Sequence, residues 1–481
     1  MKKNISISTL NSGNMIELFD NLNDIKKKVS NAKFYEHLFD IHIHIDIMDG
    51  KFVKNTGVDL THIKIAKENG FYVDTHLMVE SPILDKYIEN AIVYGTDELT
   101  IHYEIENFEE TLNYLNLRRN KILKEKNKEL VIGVAIKPST PVEELIKYKN
   151  LFSKLLIMTV EPGYGGQEYI KEVNEKIKKA RVLFDNHVIQ IDGGVNADTM
   201  EKPLRIGVDS FVMGMYLVKL SQEKLYDKLI SLSIKKDIEE LPKDVNMEFE
   251  KTILQIVEGG YAQDDILIGI NVPNIRKVAN YWYKYINYHI LDDYISSSYH
   301  EYRRFAIYTL SNMVRNYEKN IHDKKEAKQN KENIAKVNEY MEKNICYINN
   351  WDLTDEVGPN VTAKYFQYTL SSKEIKEKLV EYIHSNDIWK KRIGIVSLLP
   401  FAKDGNDKLV FFLIDKVIYD EFHLFQKASG WVLRELYKSK GRIVVEYLKE
   451  KNKNKKIPNI LLSYACEKMS KEEKNIVRLI S

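Results

Sequence analysis

Two hydrophobic rhythms divide the chain. Up to about residue 230, short β-branched runs alternate with stretches of helical periodicity. The runs predict eight strands, at 5–9, 42–49, 72–79, 98–103, 130–137, 154–161, 188–195 and 210–217. Each is followed by a segment able to form a helix, which suits a (β/α)8 TIM barrel. A doubly wound sheet is the alternative. Polar residues gathered at several strand C-terminal ends favour the barrel.

After residue 236 the strand pattern ends. Pro242 interrupts a charged helical stretch, and from Glu248 onward helical periodicity dominates. It predicts helices at 303–314, 375–384, 389–399, 408–419 and 425–437, the spacing of an α-solenoid. The expected organisation is therefore α/β plus all-α: a barrel over 1–236, a linker over 237–247 and a helical domain over 248–481. The stretch 324–336 is highly charged and reads as a solvated helix or loop.

The sharpest single pattern is Asp40-Ile-His-Ile-His-Ile-Asp-Ile-Met-Asp-Gly50. Isoleucines take one face, and His42, His44, Asp46 and Met48 take the other. Unpaired charge is costly to bury, so such a face points to a metal or to proton handling.

Composition narrows the picture. Apolar residues make up 44% and charged residues 30%, with a net charge of +2. That balance excludes a strongly basic nucleic-acid coat but leaves room for a local basic face. The two cysteines, Cys346 and Cys466, exclude a disulfide framework and suggest a reducing compartment. No apolar run reaches membrane-spanning length, so a cytoplasmic protein without membrane contact is expected.

Candidate ligands cluster at expected strand C-terminal ends: His44 and Asp46, then His76, then Asp192. Two imidazoles and two carboxylates suit one borderline divalent cation, Zn²⁺, Mn²⁺, Fe²⁺ or Co²⁺. Asp46 and Asp192, expected on opposite sides of the barrel mouth, could remove a proton from one face of a carbon and return one to the other. The metal would stabilise the enediolate between. Gly193-Gly194 and Gly214-Met215 follow strands seven and eight, where barrels bind phosphate through backbone N–H groups. Glu161-Pro-Gly-Tyr-Gly-Gly-Gln167, with Gly163, Gly165 and Gly166, reads as a mobile flap. A lone His76 would more often be a core histidine, and His42, deeper in its strand, reads as structural.

These motifs resemble ribulose-phosphate 3-epimerases. His44-Ile-Asp-Ile-Met-Asp-Gly-Lys-Phe-Val53, His76-Leu-Met-Val79, Met158-Thr-Val-Glu-Pro-Gly-Tyr-Gly-Gly-Gln167 and Asp192-Gly-Gly-Val195 stand in family order. The resemblance implies that His44, Asp46, His76 and Asp192 bind the metal and that Asp46 and Asp192 are the acid/base pair. It also implies that Ser8 touches substrate and Met48 packs near the reacting centre. The implied reaction converts D-ribulose 5-phosphate to D-xylulose 5-phosphate, with allulose 6-phosphate as the rival substrate. Homo-oligomerisation through the barrel is left open. Three positions depart from the family: Ile7 replaces a proline, Met215 a serine, and Asn55-Thr-Gly57 lacks the usual proline.

The second half holds all four tryptophans. Trp351 and Asp355 are four apart, so they share a helix face. Lys390, Lys391 and Arg392 stand together, and Trp431 is flanked by Lys427 and Arg434. Trp282 and Trp389 read as packing residues, Asp352 as a cap and Glu435 as a surface ion-pair partner. Aromatic faces interleaved with cations beside one carboxylate suit a nucleic-acid groove. This half resembles the HEAT-like DNA alkylation repair glycosylases over about 245–475. The resemblance implies Asp355 as the catalytic carboxylate, Trp351 and Trp431 as the aromatic pair near the deoxyribose, and Arg392 as a phosphate contact. It implies double-stranded DNA carrying N3- or N7-alkylated purines as partner. A non-catalytic DNA- or protein-binding module is the alternative.

Overall fold

The computed structural model describes residues 2–30, 33–319, 321–323 and 325–478. Lys324, within the charged stretch singled out above, lies outside them. The chain forms two compact units, Met1–Glu240 and Leu241–Ser481.

The first unit is a closed barrel of eight parallel strands in sequence order. They are β1 (Asn4–Ser8), β2 (Asp40–Met48), β3 (Tyr72–Met78), β4 (Glu98–His102), β5 (Val131–Ile136), β6 (Lys154–Met158), β7 (Val188–Asp192) and β8 (Ser210–Met213). Every expected strand exists. Several stop short of the sequence pattern at their C-terminal ends, where Glu161, Val195 and Leu217 have left the ladder. Those early exits free the chain to form the loops of the barrel mouth. The helices are α1 (Met15–Ser30), α2 (Thr61–Glu68), α3 (Tyr87–Tyr94), α4 (Phe108–Lys126), α5 (Val173–Leu183), α6 (Glu201–Ile206), α7 (Met215–Val218) and α8 (Gln222–Glu239). The segment after β5 is a 3-10 helix, Val142–Tyr148, rather than an α-helix.

Register across the barrel aligns chemistry. His44 pairs with Asp74, Asp46 with His76, and Met158 with Asp192. Three steps around the closed barrel separate β2 from β7, one short of the maximum, so Asp46 and Asp192 reach the mouth from nearly opposite sides.

The second unit is an α-solenoid. Its helices are α9 (Met247–Leu254), α10 (Val272–Trp282), α11 (Tyr288–Ile295), α12 (His300–Lys319), α13 (Ala327–Lys343), α14 (Trp351–Val357), α15 (Ala363–Thr369), α16 (Ser372–Ile383), α17 (Ile388–Val396), α18 (Leu398–Lys403), α19 (Asp407–Ile414), α20 (His423–Lys440), α21 (Arg442–Asn454), α22 (Asn459–Ala465) and α23 (Lys471–Arg478). Helices adjacent or next but one in sequence pack on one another: α10 on α12, α16 on α17, α18 on α20, α20 on α22. No helix among the described residues is long and apolar enough to cross a membrane.

Candidate functional site

In the barrel, the period-two alternation of β2 and β3 aims His44, Asp46 and His76 into one space, and the end of β7 adds Asp192. One ligand atom from each of these four lies within 4.8 Å of the others. Asp46 Oδ1 is 3.2 Å from both His44 Nε2 and His76 Nδ1. Asp192 Oδ2 stands 3.9 and 3.8 Å from the same nitrogens. His44 Nε2 is buried and makes no hydrogen bond despite that proximity. An orphaned imidazole nitrogen facing two carboxylates fits a cation, and a pair of carboxylates with two neutral imidazoles balances a divalent one.

The electrostatics divide the two aspartates. Burial opposes charge on Asp46, but His44 and His76 outweigh it and hold its carboxyl well below the ordinary value. Burial, reinforced by the Asp46 charge, pushes Asp192 up to about 7. Burial also works against charge on His44, yet Asp46 and Asp74 raise its pKa well above the ordinary value. For His76 burial prevails, bringing it down to about 4.

A cavity of about 590 Å³ opens over the cluster. It is lined by both aspartates, by Ser8 and by Met48, Met78 and Met158. Gly163, Gly165, Gly166, Gly193, Gly194, Gly214 and Met215 also border it. Ser8 Oγ donates to Asp46 Oδ2 at 2.7 Å, so the expected substrate-contacting serine also aims a carboxylate. Gly193 has φ +114°, and a Cβ there would sit 2.3 Å from Val160 Cγ2, so only glycine fits. The 161–167 loop is tied down: Asn55 Nδ2 donates to the Gly163 carbonyl at 2.9 Å. Met215 Sδ lies where a Cβ on Gly166 would come within 2.9 Å, so this departure from the family packs against the loop.

Sequence reasoning missed a buried layer beneath the cluster. Asp74 accepts from His44 Nδ1 at 2.8 Å, from Gln190 Nε2 at 2.7 Å and from Lys154 Nζ at 2.5 Å. Lys154 is wholly buried and also pairs with Glu98 at 2.6 Å. Such carboxylates behind a ligating imidazole fix its ring and tautomer. The signal was legible as Asp74-Thr-His76, because residues two apart in a strand share a face. His42 instead packs against Tyr72, the two rings tilted with centroids 4.3 Å apart. His102 received no role from its sequence context, yet its Nε2 lies 2.9 Å from His76 Nε2.

In the helical unit, Trp351, Asp355, Arg392 and Trp431 all line one cavity of about 430 Å³. Trp351 and Asp355 come from α14, Arg392 from α17 and Trp431 from α20. Tyr261, His423, Lys427 and Arg434 complete much of its wall. Trp351 Nε1 donates to the Ile253 carbonyl at 3.2 Å, and Asn350 caps the helix start. Burial raises the Asp355 pKa above the ordinary value despite Arg392.

The basic strip differs from its expected form. Lys390 pairs with Glu381 at 3.2 Å and Lys391 with Asp420 at 2.6 Å. Arg392 grips Asp355 with two donors, at 3.0 and 2.9 Å, and a third donor meets the Leu424 carbonyl. Its guanidinium is buried, so the function it visibly performs is to hold the carboxylate. Asp352 is no cap: it sits, half-buried, between His300 at 3.0 Å and Arg304 at 2.7 Å. Glu435 does form an ion pair, with Lys438 at 2.8 Å, but is buried rather than superficial. Trp282 and Trp389 are buried packing residues.

Comparison with known proteins follows this division. The model of the ribulose-phosphate 3 epimerase family matches residues 19–218, and that of the DNA alkylation repair enzyme matches 238–469. The cytoplasmic isoform of ribulose-phosphate 3-epimerase from Oryza sativa subsp. japonica is 34% identical over 178 residues, covering 36% of this chain and 73% of that protein. Ribulose-phosphate 3-epimerase of Mycobacterium tuberculosis (strain ATCC 25618 / H37Rv) is 33% identical over 177 residues, covering 36% and 72%. Among solved structures, a predicted DNA alkylation repair enzyme from Enterococcus faecalis aligns over 48% of this chain and 99% of its own, at 16% identity and a TM-score of 0.35.

Proposed function

Since this chain belongs, through its barrel, to the ribulose-phosphate 3-epimerase family, we propose that the barrel inverts C3 of D-ribulose 5-phosphate to give D-xylulose 5-phosphate. The observation carrying this reading is the convergence of Asp46 and Asp192 with His44 and His76 beneath one cavity that both aspartates line. A base must be ionised and an acid protonated at the same pH. Asp46, aimed by Ser8, takes the C3 proton. Asp192 delivers one to the other face, and the roles exchange in the reverse direction. His44, Asp46, His76 and Asp192 would hold one divalent ion, Zn²⁺, Mn²⁺, Fe²⁺ or Co²⁺. When bound, that ion supplies Lewis-acid stabilisation of negative charge developing on the sugar oxygens. Met48, Met78 and Met158 keep water from the reacting carbon, and the backbone around Gly193-Gly194 and Gly214-Met215 takes the phosphate. In full-length protein, Asp192→Asn is expected to abolish exchange of the C3 proton with deuterated solvent; undiminished exchange would reject the assignment. Parallel assays on allulose 6-phosphate decide the sugar, the substrate of lower kcat/KM being the loser.

For the helical unit we propose excision of N3- or N7-alkylated purines from double-stranded DNA. The convergence of Asp355 with Trp351 and Trp431 in one cavity supports it. An alkylated purine is cationic and leaves with the electrons of its bond to C1′, while water adds to C1′. Asp355, held by Arg392, stabilises the oxocarbenium-like sugar and orients that water. Incubation with DNA containing 7-methylguanine should release the base, and Asp355→Asn should lose the release. DNA binding without release would instead mark a non-catalytic module.

A further inference from the structure

His76 meets the metal cluster with one ring nitrogen and something else with the other. Its Nε2 lies 2.9 Å from His102 Nε2, and His102 Nδ1 lies 3.0 Å from Glu104 Oε2. The other Glu104 oxygen accepts from the Lys137 backbone N–H at 2.7 Å and from the Thr140 hydroxyl. His102 is fully buried, with its ring against Phe52 and His76 at centroid distances of 4.7 and 5.0 Å.

Proton positions along this line are not independent. A carboxylate only accepts, so the His102 nitrogen facing Glu104 must carry a proton. A neutral His102 then has its lone pair on Nε2, and His76 Nε2 must donate to it. The proton of His76 is thereby spent away from the cluster. Its Nδ1 is left as a lone pair, aimed at Asp46 Oδ1 3.2 Å away and Asp192 Oδ2 3.8 Å away. A lone pair facing carboxylate oxygens is stable when a cation sits among them, whereas a protonated Nδ1 would donate to Asp46 and compete with that cation.

We propose that Glu104, acting through His102, sets the tautomer of His76 and is thereby a positioning residue of the metal centre. The inference rests on the reading of His44, Asp46, His76 and Asp192 as metal ligands. It parallels Asp74 behind His44, but with a histidine interposed.

The test uses full-length protein and Co²⁺ as the probe, titrated against a chelator, with ¹⁵N-histidine spectra of the metal-free protein as a second readout. Glu104→Gln keeps the side chain's size and removes its charge. His102→Phe keeps an aromatic ring between Phe52 and His76 and removes the acceptor. Both variants are expected to bind Co²⁺ about 10–100-fold more weakly. The wild-type spectra should show His76 protonated on Nε2, and Glu104→Gln should shift population to the Nδ1–H form. Wild-type Co²⁺ affinity in either variant overturns the proposal, as does a wild-type His102 carrying protons on both nitrogens. Wild-type protein that takes up no Co²⁺ overturns the metal reading together with this one. Intact Co²⁺ uptake without epimerisation sinks only the assigned reaction.

Discussion

Asp46 and Asp192 are the same residue type, yet their surroundings give them opposite protonation tendencies. Asp355 in the second unit illustrates the same principle with a different outcome. It has a bidentate arginine partner, but burial wins and its pKa is raised. If the ionised form assists base loss, the enzyme-dependent rate falls on acidification at a pH above that of an ordinary aspartate. The sign follows because a raised pKa means protonation begins earlier as pH drops. A single-turnover pH profile of 7-methylguanine release, corrected for spontaneous loss, checks this. A decline confined to the ordinary carboxylate range would contradict it. At this scale the site residues were legible because each motif carried its own chemistry: His44-Ile-Asp46 and Asp192-Gly-Gly194 announce themselves. Lys154 and Glu104 did not, because a lysine opening a strand and a glutamate two past a histidine look ordinary until their partners are brought from elsewhere in the chain.

Elements decide how firmly those residues are held. Helix α14 carries both Trp351 and Asp355, and it is tied to α12 through Asp352, which lies between His300 and Arg304. Replacing Asp352 by Asn removes one of two counter-charges from each of two buried cations, His300 keeping Asp265 and Arg304 keeping Glu250. The cost is expected to be about 1–3 kcal/mol, read as a lower denaturant midpoint of the helical unit; an unchanged midpoint would refute it. Against burial, which raises it, His300 and Arg304 hold the Asp352 pKa below the ordinary value. The stability it adds is therefore present above that value and is lost as pH falls below it. Strand and helix existence followed from periodicity, as the eight barrel strands attest. Strand ends did not, because β6, β7 and β8 leave the ladder while their apolar pattern continues, drawn off by the loops that shape the mouth.

For the whole molecule, the boundary between units falls after Glu240. A linker beginning at 237 was expected, whereas α8 runs through Glu239. Ile238 is fully buried, and Arg205 meets Glu239 with two donors at 2.6 and 2.7 Å. A fragment ending at 240 should therefore be more stable than one ending at 236 by about 3 kcal/mol or more. Thermal melts of the two fragments measure the difference, and equal melting temperatures would count against it.

The sequence alone determined what depends on local order: two units, eight parallel strands, a run of helices, and the families to which His44–Val53 and Trp351–Asp355 point. Tertiary structure alone decided which partners meet. Only chain closure brings Asp74 against Lys154, Glu104 within reach of His76 through His102, and Arg392 onto Asp355. The physical reason is range. Periodicity and turn chemistry act over a few residues, whereas a buried charge is satisfied by whatever the fold brings within hydrogen-bond distance, and that is a property of the closed barrel and the stacked helices.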